Sequence, residues 1–182
     1  MPRLRIAIVA AGILAGSAVA TPAHAAGCAG AGLMPTHTNS AQIRAATLCL
    51  LNAQRSAHGL RKLRANQRLR RAATGYAHLM ASSKFFSHTS PSGSTPLSRI
   101  RSTRYLSGAR GWAIGENLAW GTGPLATPRR TVSAWMHSAG HRRNILDPAF
   151  REIGIGVARG APVGVAAAAG GATYATDFGA RG

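Results

Sequence analysis

The sequence predicts an α+β fold in which a small antiparallel sheet is covered by helices. Two observations carry that prediction. From residue 41 to about 146, apolar side chains recur at three- and four-residue steps between helix-capping signals. After Asp147-Pro148 the period changes to two, with Ile153, Ile155 and Val157 alternating with glycine. Helices grouped ahead of strands fit a segregated α+β arrangement better than an alternating parallel one, and no internal repeat is present.

The elements follow in order. Residues 1–25 read as an export signal: Arg3 and Arg5 precede an apolar run from Ile6 to Ala20, and Ala23-His24-Ala25 supplies the small residues of a cleavage site after Ala25. Residues 26–40 form an irregular, surface-hugging leader ahead of one domain over 41–182. A first helix carries Ile43, Ala46, Leu50, Ala53 and Ala57 on one stripe, widened by Leu48, Cys49 and Leu51, and stops at His58-Gly59. Asn66 caps a second helix with Leu69, Ala72, Ala73, Tyr76, Leu79 and Met80 inward. Phe85 and Phe86 anchor the loop that follows, and Ser90-Pro91-Ser92-Gly93 is a turn. Ser94 or Thr95 with Pro96 opens a short helix to about Arg101, and residues 104–111 are loop-like. Residues 114–120 fit a strand and a short helical turn equally. Thr127-Pro128 starts a helix with Val132, Trp135 and Met136 inward, and residues 140–146 add a further turn. Strands are expected at 153–157, 163–168 and 173–178.

The formal charge of +18 is carried by arginine, with lysine only at Lys62 and Lys84; loss of Arg3 and Arg5 with the signal leaves +16. The arginines are scattered and do not interleave with the aromatic residues, so nucleic acid is not the expected partner. For an exported chain the acidic partner to expect is an anionic cell-envelope polymer or a lipid-like surface; a solvated basic face reads equally well. No later stretch could span a bilayer. Cys28 and Cys49 form an even pair, which in an oxidising compartment predicts a disulfide. Ala25-Ala26-Gly27-Cys28 also loosely resembles a lipoprotein cleavage box, but Ala25 stands where a large aliphatic is needed, and the disulfide is preferred.

Only four acidic residues exist: Glu116, Asp147, Glu152 and Asp177. Glu116 sits in Gly115-Glu116-Asn117, where a carboxylate is not a default solvating choice. With His88 and His141 it makes a candidate site from three separate segments. Two neutral imidazoles suit Zn2+ or a similar divalent cation, with Glu116 as third ligand or as the orienter of a ring N–H. The same turn could instead use Glu116 to hold one histidine tautomer with no metal, or to satisfy backbone donors. Paired carboxylates for glycoside cleavage are nearly excluded, no Gly-x-Ser-x-Gly elbow exists, and a thiol nucleophile is removed by the disulfide. The sequence shows no enzyme.

Five motifs occur in order: Leu50-Leu51-Asn52-Ala53-Gln54-Arg55; Phe86-Ser87-His88-Thr89-Ser90-Pro91-Ser92-Gly93; Gly115-Glu116-Asn117-Leu118-Ala119; Trp135 with Gly140-His141-Arg142-Arg143-Asn144-Ile145-Leu146; and Ile153-Gly154-Ile155-Gly156-Val157. Together they resemble the bacterial branch of the CAP superfamily (cysteine-rich secretory proteins, antigen 5 and pathogenesis-related 1 proteins), also called the SCP domain. The resemblance covers residues 41–179 and implies a secreted α-β-α sandwich with a cleft on one side. It implies that His88, Glu116 and His141 stand in the places of a His/Glu tetrad, with Ser138 where the second glutamate falls. That departure removes one carboxylate. The reading that results is a secreted, non-enzymatic binding domain with a His/Glu cleft; a metal-assisted hydrolase or protease using the same cleft is the alternative.

Overall fold

The computed structural model describes residues 27–163 and 170–182. The export signal and most of the strand expected at 163–168 therefore lie outside the described residues. Among the described residues five helices and four strands follow one another: α1 (Ser40–Ala57), β1 (Arg64–Ala65), α2 (Gln67–Ser83), α3 (Pro96–Ser102), β2 (Trp112–Thr122), α4 (Pro128–His137), α5 (Ala139–Ile145), β3 (Glu152–Arg159) and β4 (Gly171–Arg181), with a 3-10 turn at Gly123–Ala126. The expected α-β-α sandwich is present. Its sheet has the order β1-β3-β4-β2. β4 pairs antiparallel with β2 and β3, whereas β1 lies parallel to β3 at Arg64↔Glu152 and Ala65↔Ile153. The sheet is thus mixed where a purely antiparallel one was expected. Two residues in the α1–α2 connection have no periodicity to betray a strand.

Residues 114–120 resolve as the centre of β2. α2 starts where expected, because the Asn66 side chain accepts from the Arg68 and Leu69 amides. α3 has a capping box between Thr95 and Ser98, with Pro96 in the first turn. Gly59 takes the left-handed conformation just past α1, at φ 69°.

One face of the sheet packs against α1, α4 and α5. There Trp135 meets Tyr174 edge-on at 6.4 Å and Phe150 stacks on Phe178 at 5.4 Å. The other face is covered by α2, where Ala73, Tyr76, Ala77 and Met80 lie against Leu118, Ala158 and Ala175. The glycines that alternate along β3 now have a cause. Ile153, Ile155 and Val157 serve the first core, and a Cβ at Gly154 or Gly156 would run into the α2 backbone at Leu69 and Ala73. Both faces of β3 are therefore covered.

Three packing expectations change. Leu79 and Phe86, expected inward and as an anchor, are exposed; Phe85 alone packs inward, edge-on to Tyr76 at 6.0 Å. The leader does not merely lie on the surface, since Cys28 and Ala31 are buried and the Arg129 amide donates to the Ala31 carbonyl. Cys28 and Cys49 are joined, with Cα atoms 5.7 Å apart, which ties the leader to α1 and leaves Cys28 no thiol for a lipid. Finally, Arg55 is completely buried. Its guanidinium donates to the carbonyls of Arg61 (2.7 Å), Ile145 (2.8 Å), Asp147 (2.9 Å) and Phe150 (3.3 Å), stapling α1 to the chain between α5 and β3. No helix among the described residues is long and apolar enough to cross a membrane.

Candidate functional site

The site is assembled at β2, the strand that forms one edge of the sheet. Glu116 and Asn117 are neighbours in that strand and so point to opposite faces. Glu116 faces the α2–α3 side and Asn117 the α5 side, which lets one dipeptide organise both halves.

On the Glu116 side, the loop after α2 carries His88. The Tyr76 hydroxyl donates to the Ser87 carbonyl at 2.5 Å, the Ser90 hydroxyl receives the Ser94 amide, and Gly93 (φ 82°) closes the turn. His88 Nδ1 then donates to Glu116 Oε1 at 2.7 Å. The second carboxylate oxygen, Oε2, receives Arg99 Nη2 from α3, also at 2.7 Å. Arg99 is itself fixed by the carbonyls of Ser94 and His88 and lies over the Tyr76 ring at 3.2 Å. The Glu116 side chain is only 2% exposed while His88 is 56% exposed. The carboxylate is thus internal and the imidazole presents its other edge to solvent.

Asp177 stands directly across from Glu116 in the β2–β4 register. It is buried, and neither of its side-chain oxygens has a hydrogen-bond partner among the described residues. Burial first, and the neighbouring Glu116 second, push its carboxyl well above the ordinary carboxylate range, against the opposing pull of Arg99.

On the other side, Asn117 donates to the His141 carbonyl at 3.0 Å and accepts from Asn144 at 2.8 Å; Asn144 also donates to the Glu116 carbonyl at 3.1 Å. These bonds hold α5 against the strand. His141 is half-buried, and its Nδ1 is buried with no partner among the described residues. Burial lowers its pKa, and the nearby His88 lowers it further, so at neutral pH the ring is uncharged.

The expected site residues therefore fall as follows. His88 and Glu116 are in direct contact, and His141 lies within electrostatic reach of His88. Ser138 is the junction between α4 and α5 and makes no side-chain capping bond. The adjacent His137 is turned outward, its Nδ1 bonded to the Ser133 carbonyl. Among the described residues no three His, Cys, Asp or Glu side chains come together as a group able to hold a metal ion. Glu116 holds Nδ1 of the His88 ring by a hydrogen bond. The sequence reading overlooked Arg99, Tyr76 and Asp177. For Asp177 the sequence offered only a carboxylate between Thr176 and Phe178 in an expected strand; that both faces of that strand are covered is seen in the structure alone. For Arg99, one arginine among many, there was no signal.

Comparison with known proteins bears on family and fold. The model of the cysteine-rich secretory protein family (CAP) matches residues 48–173. The uncharacterized protein YkwD of Bacillus subtilis is 37% identical over 107 residues, covering 59% of this chain and 39% of that protein. The uncharacterized membrane protein YlbC of the same organism is 32% identical over 114 residues, covering 62% of this chain and 30% of that protein. The chain thus spans well under half the length of either relative. In fold it is similar to an extracellular protein containing a SCP domain from Bacillus anthracis (TM-score 0.58, 24% identity, 79% of this chain and 44% of that one). It is similar also to an outer surface protein from Borrelia burgdorferi (TM-score 0.60, 22% identity, 83% of this chain and 99% of that one). A family match over most of the chain, a shared sandwich and bacterial relatives in sequence place it: the chain belongs to the bacterial branch of the cysteine-rich secretory protein (CAP) family.

Proposed function

We propose that this CAP domain is an exported, envelope-associated binding module, a single domain over residues 41–182 behind a cleaved signal and a short leader, and that it is not an enzyme. One observation carries the reading. Both oxygens of Glu116, the carboxylate of the cleft, are already engaged, Oε1 by His88 and Oε2 by Arg99. A carboxylate held this way orients a ring, and with a side chain only 2% exposed it presents almost no surface to a water or a substrate proton. Asp177 is buried with its carboxyl pushed well above the ordinary carboxylate range by burial, and the Ser87 hydroxyl accepts the Thr89 amide without any histidine against it. The cleft has imidazoles, but among the described residues no hydroxyl or thiol nucleophile is hydrogen-bonded to them.

What the cleft offers is two ring nitrogens. With Nδ1 of His88 committed to Glu116, Nε2 remains for a ligand, and His141 supplies a neutral imidazole. A divalent cation such as Zn2+ fits that donor chemistry as a loosely held guest, with Glu116 raising the basicity of His88 from behind. When bound, such an ion would polarise an anionic or carbonyl group of a partner. The basic surface favours an anionic envelope polymer or a lipid-like ligand, and the extracellular and outer-surface character of the structural neighbours supports export.

The test is a calorimetric zinc titration of the exported form beside a His88→Ala/His141→Ala variant, with peptide and lipid hydrolysis followed in parallel. The expected result is weak zinc binding that the variant loses, with no turnover in either protein. Zinc-dependent turnover that disappears in the folded variant would overturn the binding module in favour of a metal-assisted hydrolase or protease.

A further inference from the structure

The start of α2 and the end of α3 meet along a seam on the α2 side of the sheet. A hollow of about 390 Å3 opens there, lined by Gln67, Arg68 and Arg71 of α2 and by Ser102, Thr103 and Arg104 at the end of α3. A second hollow of about 250 Å3 continues toward Gly75 and Leu79, since Arg71, Ser102 and Thr103 line both. Neither is lined by His88, Glu116 or His141. Two local choices at the first hollow run against the preferences of the backbone. The positive end of a helix dipole favours acidic side chains, yet α2 opens as Gln67-Arg68-Leu69-Arg70-Arg71, with no acid in its first turn. Arg104, just past α3, is held in the left-handed conformation at φ 63°, where glycine is the favoured residue. Arg68 Nη1 donates to the Arg104 carbonyl at 2.9 Å and ties that residue to α2. Choices that oppose local preference mark functional places more often than scaffold.

The three cations have no counter-charge. All four acidic side chains of the chain are among the described residues and all are placed elsewhere. Glu116 is held by His88 and Arg99, Asp177 is buried beside it, Glu152 takes Asn66, Tyr105 and Arg181, and Asp147 takes the Ala149 amide. Arg71 and Arg104 make no ion pair or side-chain hydrogen bond among the described residues. Like charges gathered at one hollow repel until an anion bridges them. Guanidinium groups present paired donors that match phosphate oxygens, and a tetrahedral phosphate accepts from several directions at once. The adjoining hollow has room for what the phosphate is attached to: a Cβ at Gly75 would meet nothing within 4 Å.

We propose that this seam binds a phosphodiester-linked polyol chain of the cell envelope, one phosphate held by Arg68, Arg71 and Arg104 and the next unit lying toward Gly75. The proposal rests on the envelope-associated reading for the source of the polymer. It does not involve the His88–Glu116–His141 cleft, so phosphate binding here and zinc binding there can fail separately.

The probe is a synthetic decamer of glycerol phosphate, titrated calorimetrically into the whole exported chain. A glutamate decamer supplies the same charge as carboxylates. Arg71→Gln/Arg104→Gly removes two of the three cations, and glycine suits the left-handed position, so this variant should keep the thermal midpoint of the parent. Arg130→Gln/Arg159→Gln gives the same net charge by removing exposed arginines from α4 and the end of β3. The glycerol phosphate decamer is expected to bind the parent at least tenfold more tightly than the glutamate decamer does. Arg71→Gln/Arg104→Gly should lose at least tenfold, while Arg130→Gln/Arg159→Gln and His88→Ala/His141→Ala should each lose less than twofold. Arg71→Gln alone, at an exposed helix position, should lose at least threefold and repeats the test if the double variant melts early. The proposal is overturned if the glycerol phosphate decamer does not bind or if the glutamate decamer binds equally well. It is overturned in favour of diffuse net charge if Arg130→Gln/Arg159→Gln loses as much as the seam variant. Binding to phosphatidylglycerol vesicles with none to the decamer overturns it in favour of a lipid headgroup.

Discussion

Among the described residues two guanidinium groups, one buried and one nearly so, are held by different chemistry. Arg55 reaches from α1 into a nest of carbonyls belonging to Arg61, Ile145, Asp147 and Phe150. Arg99 reaches from α3 to the carboxylate of Glu116, with two carbonyls and the Tyr76 ring completing its surroundings. The first arrangement pairs a full charge with dipoles alone and uses it to join α1 and the turn after it to residues 145–150, some 90 residues away in sequence. The second pairs charge with charge and, in doing so, occupies half of the site's carboxylate. A buried arginine that meets only carbonyls is part of the scaffold, whereas one that meets the site's acid sets what that acid can still do.

The largest effect should come from the scaffold member. Arg55→Ala removes four charge-assisted donors and strands their acceptors in the interior, which is expected to cost roughly 3–5 kcal/mol. Urea unfolding of the parent and variant measures it. Arg55→Lys should recover only a minor part, because an ammonium cannot span four carbonyls in the plane of a guanidinium. A loss below about 1 kcal/mol for Arg55→Ala would remove the distinction drawn between the two arginines.

Arg99→Gln should destabilise less, by about 1–3 kcal/mol, since Glu116 keeps His88 as a partner. Its second consequence is the informative one. Freeing Glu116 Oε2 and deleting a cation should raise zinc affinity at the histidines by about tenfold, the scale on which partners behind metal ligands act. A folded Arg99→Gln protein with unchanged or weaker zinc binding would show that Arg99 does not restrain the cleft.

These contrasts mark where sequence reading reaches and where it stops. The helices were readable because their caps are local: Asn66, Thr95 and Thr127 act on amides two or three residues away. The pairing of His88 with Glu116 emerged from two motifs that each looked out of place on a solvated surface. Arg99 and Asp177 did not emerge, since nothing local separates Arg99 from its many neighbours in an arginine-rich chain. The burial of Asp177 depends on α2 closing the second face of the sheet. β1 escaped for a related reason: its partner, β3, is more than 80 residues away in sequence, and a two-residue strand has no period of its own.

The two faces of β2 also differ in how they respond to pH, with smaller effects and opposite signs. On the Glu116 face, the carboxyl of Asp177 is raised in the folded protein, so folding is favoured while the group is protonated. Its contribution is complete below its ordinary value near 4 and fades as pH climbs toward the folded value, with a slope of at most about 1.4 kcal/mol per pH unit. Asp177→Asn should therefore unfold at a higher urea concentration than the parent near pH 7 and show a flatter profile on the alkaline side. An Asn variant with the parent's slope would mean that Asp177 is not the group being titrated.

The other face gives the mirror case and the smallest change. His141 has its pKa lowered by burial and by His88, so the folded state prefers the neutral ring and the unfolded chain takes up the proton first. Stability from this source is intact above the ordinary histidine value near 6.5 and declines as pH falls toward the lowered folded value. The gap between parent and His141→Gln in urea midpoint should narrow or reverse between pH 7.5 and pH 5.0, the parent being the one that weakens. Because the second cause of the shift is His88, His88→Gln should remove part of the same acid-side decline without touching α5. If it removes none, the two rings do not share a field, and the cleft would have to be read as two separate histidines on either side of a strand.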